Sequence, residues 1–348
     1  MDKAEFYREA RNDVPGPMAG VRVLEMTTTW AGPMCGALLA DLGADVIKVE
    51  IPGGEVARKI APFLPGSTVS FFQATVNRNK RSLSLDVRQA DGREVFLRLA
   101  AKTDILVENF KVGTLASLGL GYEDVRAVKP DVVYVSITGW GQFGPNHRCA
   151  GYDPLAQAAS GFVSLNGSPD GGPVKAPTFL GDDLGGVHGA IGAMAALHHR
   201  DRTGEGQHVD VALLDSLLFQ SSGLPTLGAL GVKPRRMGNE FGFAVPGNVY
   251  DCKDGPVYFG VLLDSHWKIL APIVGFPELA DDPGFATAPG RVSNREACNA
   301  IVAAWLAERP RAEAVEILSK AGLAIAPVNT YDEAARDPHV LARDMLQT

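Results

Sequence analysis

Short apolar segments with strand character alternate with helical segments in the first half of the chain, and this alternation restricts the possible folds. Residues 21–26 have the character of a short buried strand, residues 32–42 have apolar side chains at helical spacing, and residues 45–50 have the character of a second strand. The helical segment ends at Gly43, a residue type that commonly terminates helices. A strand, a helix and a strand within about 30 residues predict a βαβ unit, whose strands are parallel and whose crossover is right-handed.

The same alternation continues further along the chain. The additional predicted elements are strands at 82–85, 104–108 and 131–137 and a helix at 92–102. Repeated βαβ units are typical of a doubly wound, Rossmann-like α/β domain, which we place over residues 21–205.

The remaining residues predict a different organisation. Helical spacing over 209–220 predicts a helix within a linker at 206–224, which leads away from the large domain. Short β runs among glycine and proline then precede helical stretches, which favours a smaller α+β domain over 225–318. Its predicted elements are strands at 248–250 and 257–259 and helices at 265–275 and 293–307. The outer segments are an N-terminal extension, 1–20, and a tail, 319–348, with a short strand at 323–326.

Bulk composition excludes several classes of protein. The 348 residues carry 33 basic and 40 acidic side chains, a net charge of −7, so we expect no binding of nucleic acid or of anionic membranes. Residues 1–20 have scattered charges, unlike a secretory signal peptide, and no apolar run is long enough to span a bilayer. The cysteines lie far apart without metal-ligand spacing, so we expect no metal site and a cytoplasmic location. They are Cys35, Cys149, Cys252 and Cys298.

Two adjacent carboxylates, Asp182 and Asp183, precede a run of small and apolar residues that extends to Leu197. A helix that begins at one of the two would surround its carboxylate with free N–H groups and with the positive end of the helix dipole, and so keep it ionised. This side chain is therefore a candidate nucleophile, or else a simple N-cap. The glycines of the helix predict close approach of another backbone or of a ligand. They are Gly185, Gly186, Gly189 and Gly192.

Other features have two interpretations each. Basic side chains near strand ends, Arg88 and Lys111 among them, suit either a phosphorylated ligand or a solvated surface with local ion pairs. His188, on the apolar helix, is either a packed core residue or a catalytic group. Gly119 and Gly121 begin a dinucleotide fingerprint, but no third glycine follows at the required place, so nicotinamide binding is not predicted.

Several segments together resemble the CaiB/BaiF family of class III coenzyme A transferases. In chain order they are Val23–Met26 with Ala31-Gly32-Pro33, Leu39–Glu50, Asn79–Ser82, Val107–Phe110, Leu118–Tyr122, Ser136–Gln142, Gly151-Tyr152-Asp153 and Thr203–Gln207. The resemblance implies the two domains predicted above and an interlocked homodimer in which each chain threads through the other. It also implies that the tail, 319–348, is a short segment that returns toward the large domain.

The resemblance further implies the residues of the site. Asp182 occupies the position of the family's catalytic aspartate and is the implied nucleophile. Asp153 corresponds to an acidic residue near the acyl group, and Trp30 is implied at both the acyl group and CoA. The remaining implied CoA contacts are Ala31, Leu85, Arg88, Asn109, Phe110, Lys111, Ala150, Gly151 and Tyr152.

The implied activity moves CoA from an acyl-CoA thioester to a free carboxylic acid, through a mixed anhydride and an aspartyl-CoA thioester on Asp182. CoA thioesters are then substrates, and no permanently bound cofactor is expected. Racemases of the same family carry His within Gly-His-Asp, where this chain has Gly151-Tyr152-Asp153. Tyrosine, with a pKa of about 10, is a poor acid or base near neutral pH, so transfer is favoured over racemisation. A racemase or lyase is the second interpretation, and a catalytically silent CoA-binding protein is the third.

Overall fold

The structure is a computed structural model that describes residues 3–11 and 13–346. It divides into two compact units. The larger unit comprises Arg11–Asn166 and Pro173–Pro234. The smaller unit comprises Gly167–Gly172, the residues described before position 11 and those described from position 235 onward, and it contains the first helix, α1 (Lys3–Phe6).

A six-stranded parallel sheet forms the centre of the larger unit. Its strands are β1 (Arg22–Met26), β2 (Asp45–Glu50), β3 (Arg81–Ser84), β4 (Ile105–Glu108), β5 (Val133–Thr138) and β6 (Gln207–Ala212). The order across the sheet is β3-β2-β1-β4-β5-β6, and every neighbouring pair is parallel. The direction of this order reverses between β1 and β4, as in doubly wound folds, and the predicted α/β class is confirmed.

Helices cover both faces of this sheet. In chain order they are α2 (Ala31–Asp41), α3 (Phe71–Val76), α4 (Ala90–Ala100), α5 (Thr114–Ser117), α6 (Tyr122–Val128), α7 (Asp153–Ala159), α8 (Phe162–Leu165), α9 (Leu180–Thr203), α10 (Leu213–Phe219) and α11 (Leu224–Ala229), with a 3-10 turn at Val56–Lys59. Alternate strand residues point to opposite faces, so Val135 packs in the core with α2 and α9 while Tyr134 packs with α4 and α6. Across the chain, no helix within residues 3–11 and 13–346 has the length and apolar character needed to cross a membrane.

The sixth strand differs from the prediction, which placed a helix over 209–220. Residues 207–212 instead pair with β5 in parallel register, and the helix is limited to α10. The apolar residues of β6 alternate, so that Val209 packs on α9 beside Gly192 while Asp210 faces the opposite side of the sheet. Alternation over so few residues, followed directly by an apolar helix, has the appearance of helical spacing in the sequence.

The smaller unit is built on a three-stranded antiparallel sheet in the order β7-β8-β9. Its strands are β7 (Gly247–Cys252), β8 (Gly255–Gly260) and β9 (Ala324–Pro327), and its further helices are α12 (Asp264–Ile273), α13 (Ala288–Ser293), α14 (Arg295–Ala307), α15 (Arg311–Lys320), α16 (Tyr331–Arg336) and α17 (Pro338–Ala342), with a 3-10 turn at Pro277–Ala280. Trp267 and Phe259 are fully buried in its core.

The described part of the tail belongs to this smaller unit. β9 pairs with β8, and Leu323, immediately before β9, is buried in the core of the unit. The expected boundary at 318 therefore lies inside the smaller unit, because pairing with β8 holds β9 in the small sheet.

Candidate active site

The long helix α9 carries the two adjacent carboxylates in its first turn. It begins at Leu180 and is preceded by Phe179, so Asp182 and Asp183 are its third and fourth residues and neither is the N-cap. The predicted start at Asp182 or Asp183 was therefore late by two residues or more. The predicted close approach at its glycines is confirmed, since a Cβ added to Gly186 would lie 3.0 Å from the carbonyl oxygen of Ala31 in α2.

A carboxylate from another helix caps α9. Asp153, the first residue of α7, accepts hydrogen bonds through Oδ1 from the backbone N–H of Gly181 (2.6 Å) and of Asp182 (3.4 Å). Its other oxygen, Oδ2, accepts a bond of 2.7 Å from the Nε2 of Gln157. These two N–H groups are thus occupied, contrary to the expectation that they are free to hold the Asp182 carboxylate.

Burial and neighbouring charge change the acidity of Asp182. Burial, with the negative charges of Asp153 and Asp183, raises the pKa of Asp182 to about 7. The expectation of a fully ionised side chain held by the helix dipole was wrong, because desolvation and two nearby carboxylates outweigh the dipole. The carboxyl group changes charge near neutral pH instead.

Trp30 orients the second carboxylate. Its indole Nε1 donates a hydrogen bond of 2.6 Å to Oδ1 of Asp183. The indole is buried, 9% exposed, and packs against Phe72 and Phe179, with ring centroids 5.3 Å and 5.2 Å away. Asp183 therefore has a dedicated donor, whereas Asp182 accepts no side-chain hydrogen bond from the part of the chain that the structure describes.

A cavity of about 380 Å³ opens in front of Asp182. Its wall comes from the loops that follow the carboxyl ends of β1, β4 and β5, together with α9 and α10, at the point where the strand order reverses. The lining residues are Thr28, Thr29, Ala31, Val56, Asn109, Phe110, Lys111, Val112, Ile137, Thr138, Gly139, Trp140, His147, Cys149, Ala150, Gly151, Tyr152, Asp182 and Leu213. Asp182 is the one acidic residue among them.

Most of the predicted site residues lie in this wall. The structure brings together Ala31, Asn109, Phe110, Lys111, Ala150, Gly151, Tyr152 and Asp182. Sequence reasoning did not single out Thr28, Thr29 or His147, although the first two lie within three residues of the end of β1 and their position at a strand end was the available signal.

Four predicted residues do not line the cavity. Trp30 bonds to Asp183, and both oxygens of the buried Asp153 are occupied as described above. Leu85 packs against the core on the α4 and α6 face. The guanidinium of Arg88 is exposed and pairs with Asp86 through bonds of 2.7 Å and 2.9 Å, the geometry of a local surface ion pair.

The loop after β1 is fixed from two sides. The Asn109 side chain accepts a bond of 2.8 Å from the backbone N–H of Thr28 and donates one of 2.9 Å to its carbonyl oxygen. Thr29 has a φ of 64°, a left-handed conformation that β-branched residues rarely adopt. Oε2 of Glu55 accepts hydrogen bonds from the Thr28 hydroxyl and from the N–H of Thr29. Such strain persists only where surrounding contacts hold the loop, as these do.

A cluster of buried charged side chains also holds the start of the same loop. Glu25 in β1 is fully buried and pairs with the Nζ of Lys48 at 2.9 Å and with the Nζ of Lys80 at 2.7 Å. Lys48 also donates to the carbonyl oxygen of Thr27 at 3.3 Å. The cluster therefore connects β1, β2 and the segment before β3 with the start of the cavity loop.

Comparison with known proteins identifies the family. The model of CoA-transferase family III matches residues 18–348. The chain belongs to this family. It is 38% identical over 340 residues to the succinyl-CoA:mesaconate CoA-transferase of Haloarcula hispanica, covering 95% of this chain and 85% of that protein. It is 37% identical over 338 residues to the succinate–glutarate CoA-transferase of Agrobacterium fabrum, covering 94% and 84% of the two chains.

A solved structure supports the same assignment. A CaiB/BaiF family protein from Brucella suis is 37% identical, with a TM-score of 0.86 over 95% of this chain and 89% of that one. The resemblance to the CaiB/BaiF class III transferases is therefore confirmed, and the interpretation of this chain as a CoA-transferase with it.

Proposed function

We propose that this family III enzyme moves CoA from an acyl-CoA thioester to a free carboxylic acid, with Asp182 as the nucleophile. The observation that carries the proposal is the position of Asp182. It is the one acidic residue in the cavity wall, and no side chain within the described residues holds its carboxylate by a hydrogen bond. A carboxylate with free lone pairs beside a cavity is suited to attack a thioester carbonyl.

The proposed reaction proceeds in four steps. The Asp182 carboxylate attacks the donor thioester carbonyl, the C–S bond breaks, and a mixed anhydride and CoA thiolate form. The thiolate then attacks the Asp182 acyl carbon, which releases the donor acid and leaves an aspartyl-CoA thioester. The acceptor carboxylate attacks this thioester to form a second anhydride and thiolate, and attack on the acceptor acyl carbon yields the new acyl-CoA and restores Asp182.

The substrates that we propose are acyl-CoA thioesters and dicarboxylic acids, with no permanently bound cofactor. The names of the two relatives specify succinate, mesaconate and glutarate, each a dicarboxylic acid. In this chain the cavity wall also includes His147, whose imidazole, when protonated, suits a second, non-reacting carboxylate. Measured exchange of isotope-labelled acids into CoA thioesters, over a panel of mono- and dicarboxylic acids, tests this proposal. No exchange with any acid would contradict it.

One observation favours a second candidate, an acyl-CoA racemase. His147 lies in the same cavity wall as Asp182, and its Nδ1 donates a bond of 2.7 Å to the carbonyl oxygen of Gly144, so in the neutral ring Nε2 is the acceptor. A histidine and a carboxyl group with a pKa of about 7 are a suitable pair for proton exchange. Incorporation of solvent deuterium beside the thioester carbonyl, without exchange of acids, would establish this second activity.

We predict that Lys111→Ala weakens the interaction with CoA. Lys111 is exposed at the cavity wall and has no ion-pair partner in residues 3–11 and 13–346, so its charge is available for phosphate oxygens. The KM for acyl-CoA should rise about tenfold at low salt with little change in kcat, because the contact is remote from the reacting carbonyl. Arg88→Ala is the matched control, since Arg88 pairs with Asp86. Equal losses in both variants would show that both side chains contact CoA, and no loss in Lys111→Ala would contradict the prediction.

We also propose that the enzyme is an interlocked homodimer. Apolar side chains remain exposed on the larger unit, where Ile191 of α9 is 55% and Phe219 of α10 is 78% exposed. The ring of Phe219 lies 5.6 Å from that of His188, which precedes Ile191 by three residues on α9, and neighbouring exposed apolar residues are typical of an interface. Sedimentation at nanomolar concentration should show a dimer, and Ile191→Arg should weaken it more than Val95→Arg on α4 does. A folded wild-type monomer at that concentration would contradict the proposal.

A further inference from the structure

The donors at the N-terminal turn of α9 are shared unevenly among three carboxylates. Asp153 takes the N–H groups of Gly181 and Asp182, and Trp30 supplies the donor for Asp183. Asp182 accepts a hydrogen bond neither from these N–H groups nor from Trp30. Solvent exposure does not explain which carboxylate accepts the backbone N–H groups. Asp153 accepts them although it is the most buried of the three carboxylates, at 3% exposed.

The side chain of Asp153 is itself held in place. Gln157, one turn further along α7, donates from Nε2 to Asp153 Oδ2 and accepts through Oε1 a bond of 2.8 Å from the backbone N–H of Ala176. Gln157 is fully buried. The cap therefore belongs to a buried network that connects α7, the segment before α9 and the first turn of α9.

We propose that Asp153 is a positioning residue for the nucleophile: it caps α9, takes the N–H groups that would otherwise hold the Asp182 carboxylate, and presents its negative charge to that carboxylate. The inference rests on the proposed role of Asp182. A carboxylate held by backbone N–H groups is a stabilised anion and a weak nucleophile, since those bonds must be broken or weakened as it attacks. With its own first turn capped by another residue, Asp182 keeps its lone pairs free for the substrate.

The negative charge of Asp153 acts in the same direction as its hydrogen bonds. Asp153 faces Asp182 from α7, and Asp183 is the next residue of α9. The negative charges of both raise the pKa of Asp182. The other titratable side chains around the cavity are Lys111 from the loop after β4 and His147, Cys149 and Tyr152 from the loop after β5. None of these four is among the groups that shift Asp182. A more basic carboxylate is a stronger nucleophile once ionised, and the transfer rate should therefore depend on the charge at Asp153.

The test compares two variants. Asp153→Asn keeps the acceptor for the Gly181 N–H and removes the charge, since Asn caps helices about as well as Asp. It also places Nδ2 against the Nε2 of Gln157, two donors, so the bond between these side chains is lost in the single variant. Asp153→Asn with Gln157→Glu returns a negative charge one turn away. In the double variant the Asn Nδ2 donates to the new glutamate, which still accepts from Ala176, and only the bond of 3.3 Å from Gln157 to the Thr178 carbonyl oxygen is lost.

We expect the acid limb of kcat/KM to move down by about one pH unit in Asp153→Asn and to move back toward the wild-type position in the double variant. The rate on the plateau should fall several-fold in the single variant, and the KM for acyl-CoA should stay constant. An unchanged pH profile in Asp153→Asn, with only a lower melting temperature, would show that Asp153 is merely a structural cap and would overturn the proposal.

A second measurement needs neither turnover nor a variant of Asp153. The infrared difference spectrum of the carboxyl groups, wild type against Asp182→Asn, gives the titration of Asp182 directly. A midpoint near 7 supports a carboxylate without donors, and a midpoint near 4 overturns the proposal even if no Asp153 variant folds. Because the titration does not depend on transfer, the proposal for Asp153 and the transferase reaction fail separately: absence of acid exchange contradicts only the reaction.

Discussion

Asp182→Asn should abolish CoA transfer and yet make the protein more stable at alkaline pH. The amide cannot form the anhydride, so we expect kcat to fall at least about a thousandfold. Shape and volume are almost unchanged, and the cavity wall keeps its other residues, so the affinity for CoA should remain close to that of the wild type. Hydroxylamine should trap an acyl-enzyme at Asp182 in the wild type and none in the variant.

The gain in stability follows from the raised pKa. The pKa of Asp182 is about 7 in the folded chain, against an ordinary aspartate value of 3.8. Between these values the folded protein binds more protons than the unfolded chain, so its free energy of unfolding falls as the pH rises from about 4 to 7. Above pH 7 the buried charge is fully present, and the neutral amide should raise the free energy of unfolding by roughly 2–4 kcal/mol.

Asp183→Asn is the matched control for this experiment. Its side chain is adjacent, carries the same charge and bonds to Trp30 instead of facing the cavity. We expect transfer to survive in this variant, at a reduced rate. Full transfer in Asp182→Asn, or complete loss only in Asp183→Asn, would exclude Asp182 as the nucleophile.

The second large effect concerns stability alone. Glu25→Gln should lower the free energy of unfolding by about 3–5 kcal/mol, because it leaves two buried ammonium groups, Lys48 and Lys80, without their common counter-charge. Burial already lowers the pKa of Lys80 to about 8. Loss of the carboxylate should move that pKa further down.

An exposed ion pair provides the comparison for Glu25. Asp41 pairs with Arg78 at the surface, so Asp41→Asn should cost no more than about 1 kcal/mol. Chemical denaturation of both variants at neutral pH distinguishes the two environments. Similar small losses would show that the buried cluster is not held together by charge pairing.

Much of the large unit could be predicted because its local signals agree with its tertiary structure. The segment 45–50 carries three β-branched residues, Val46, Ile47 and Val49, and it is the strand β2 with the predicted bounds. The strand β6 escaped prediction because its alternation is short and continues into α10 without a turn residue. Only pairing with β5, a contact between distant parts of the chain, decides its structure.

The candidate site, like the fold, has features that could be predicted from the sequence and features that could not. Its position at the carboxyl ends of parallel strands, and the loop residues such as Asn109 and Gly151, followed from the strand pattern and from the family resemblance. The raised pKa of Asp182 could not be predicted from the sequence. It depends on Asp153, which lies 29 positions earlier in the chain, and on burial that no local pattern records. The pairing of Trp30 with Asp183 spans 153 positions and has no local signal either.

The cavity wall extends along the chain from Thr28 to Leu213, which has a consequence for synthesis on the ribosome. A nascent chain that has emerged only as far as Tyr152 has the loops that would receive CoA but lacks α9, and with it Asp182. The final strand of the sheet, β6, and the wall residue Leu213 follow α9 immediately. Because domains fold largely as units during translation, the binding surface and the reactive carboxylate are completed in a single late step, and a product that ends before Leu213 lacks part of the cavity wall.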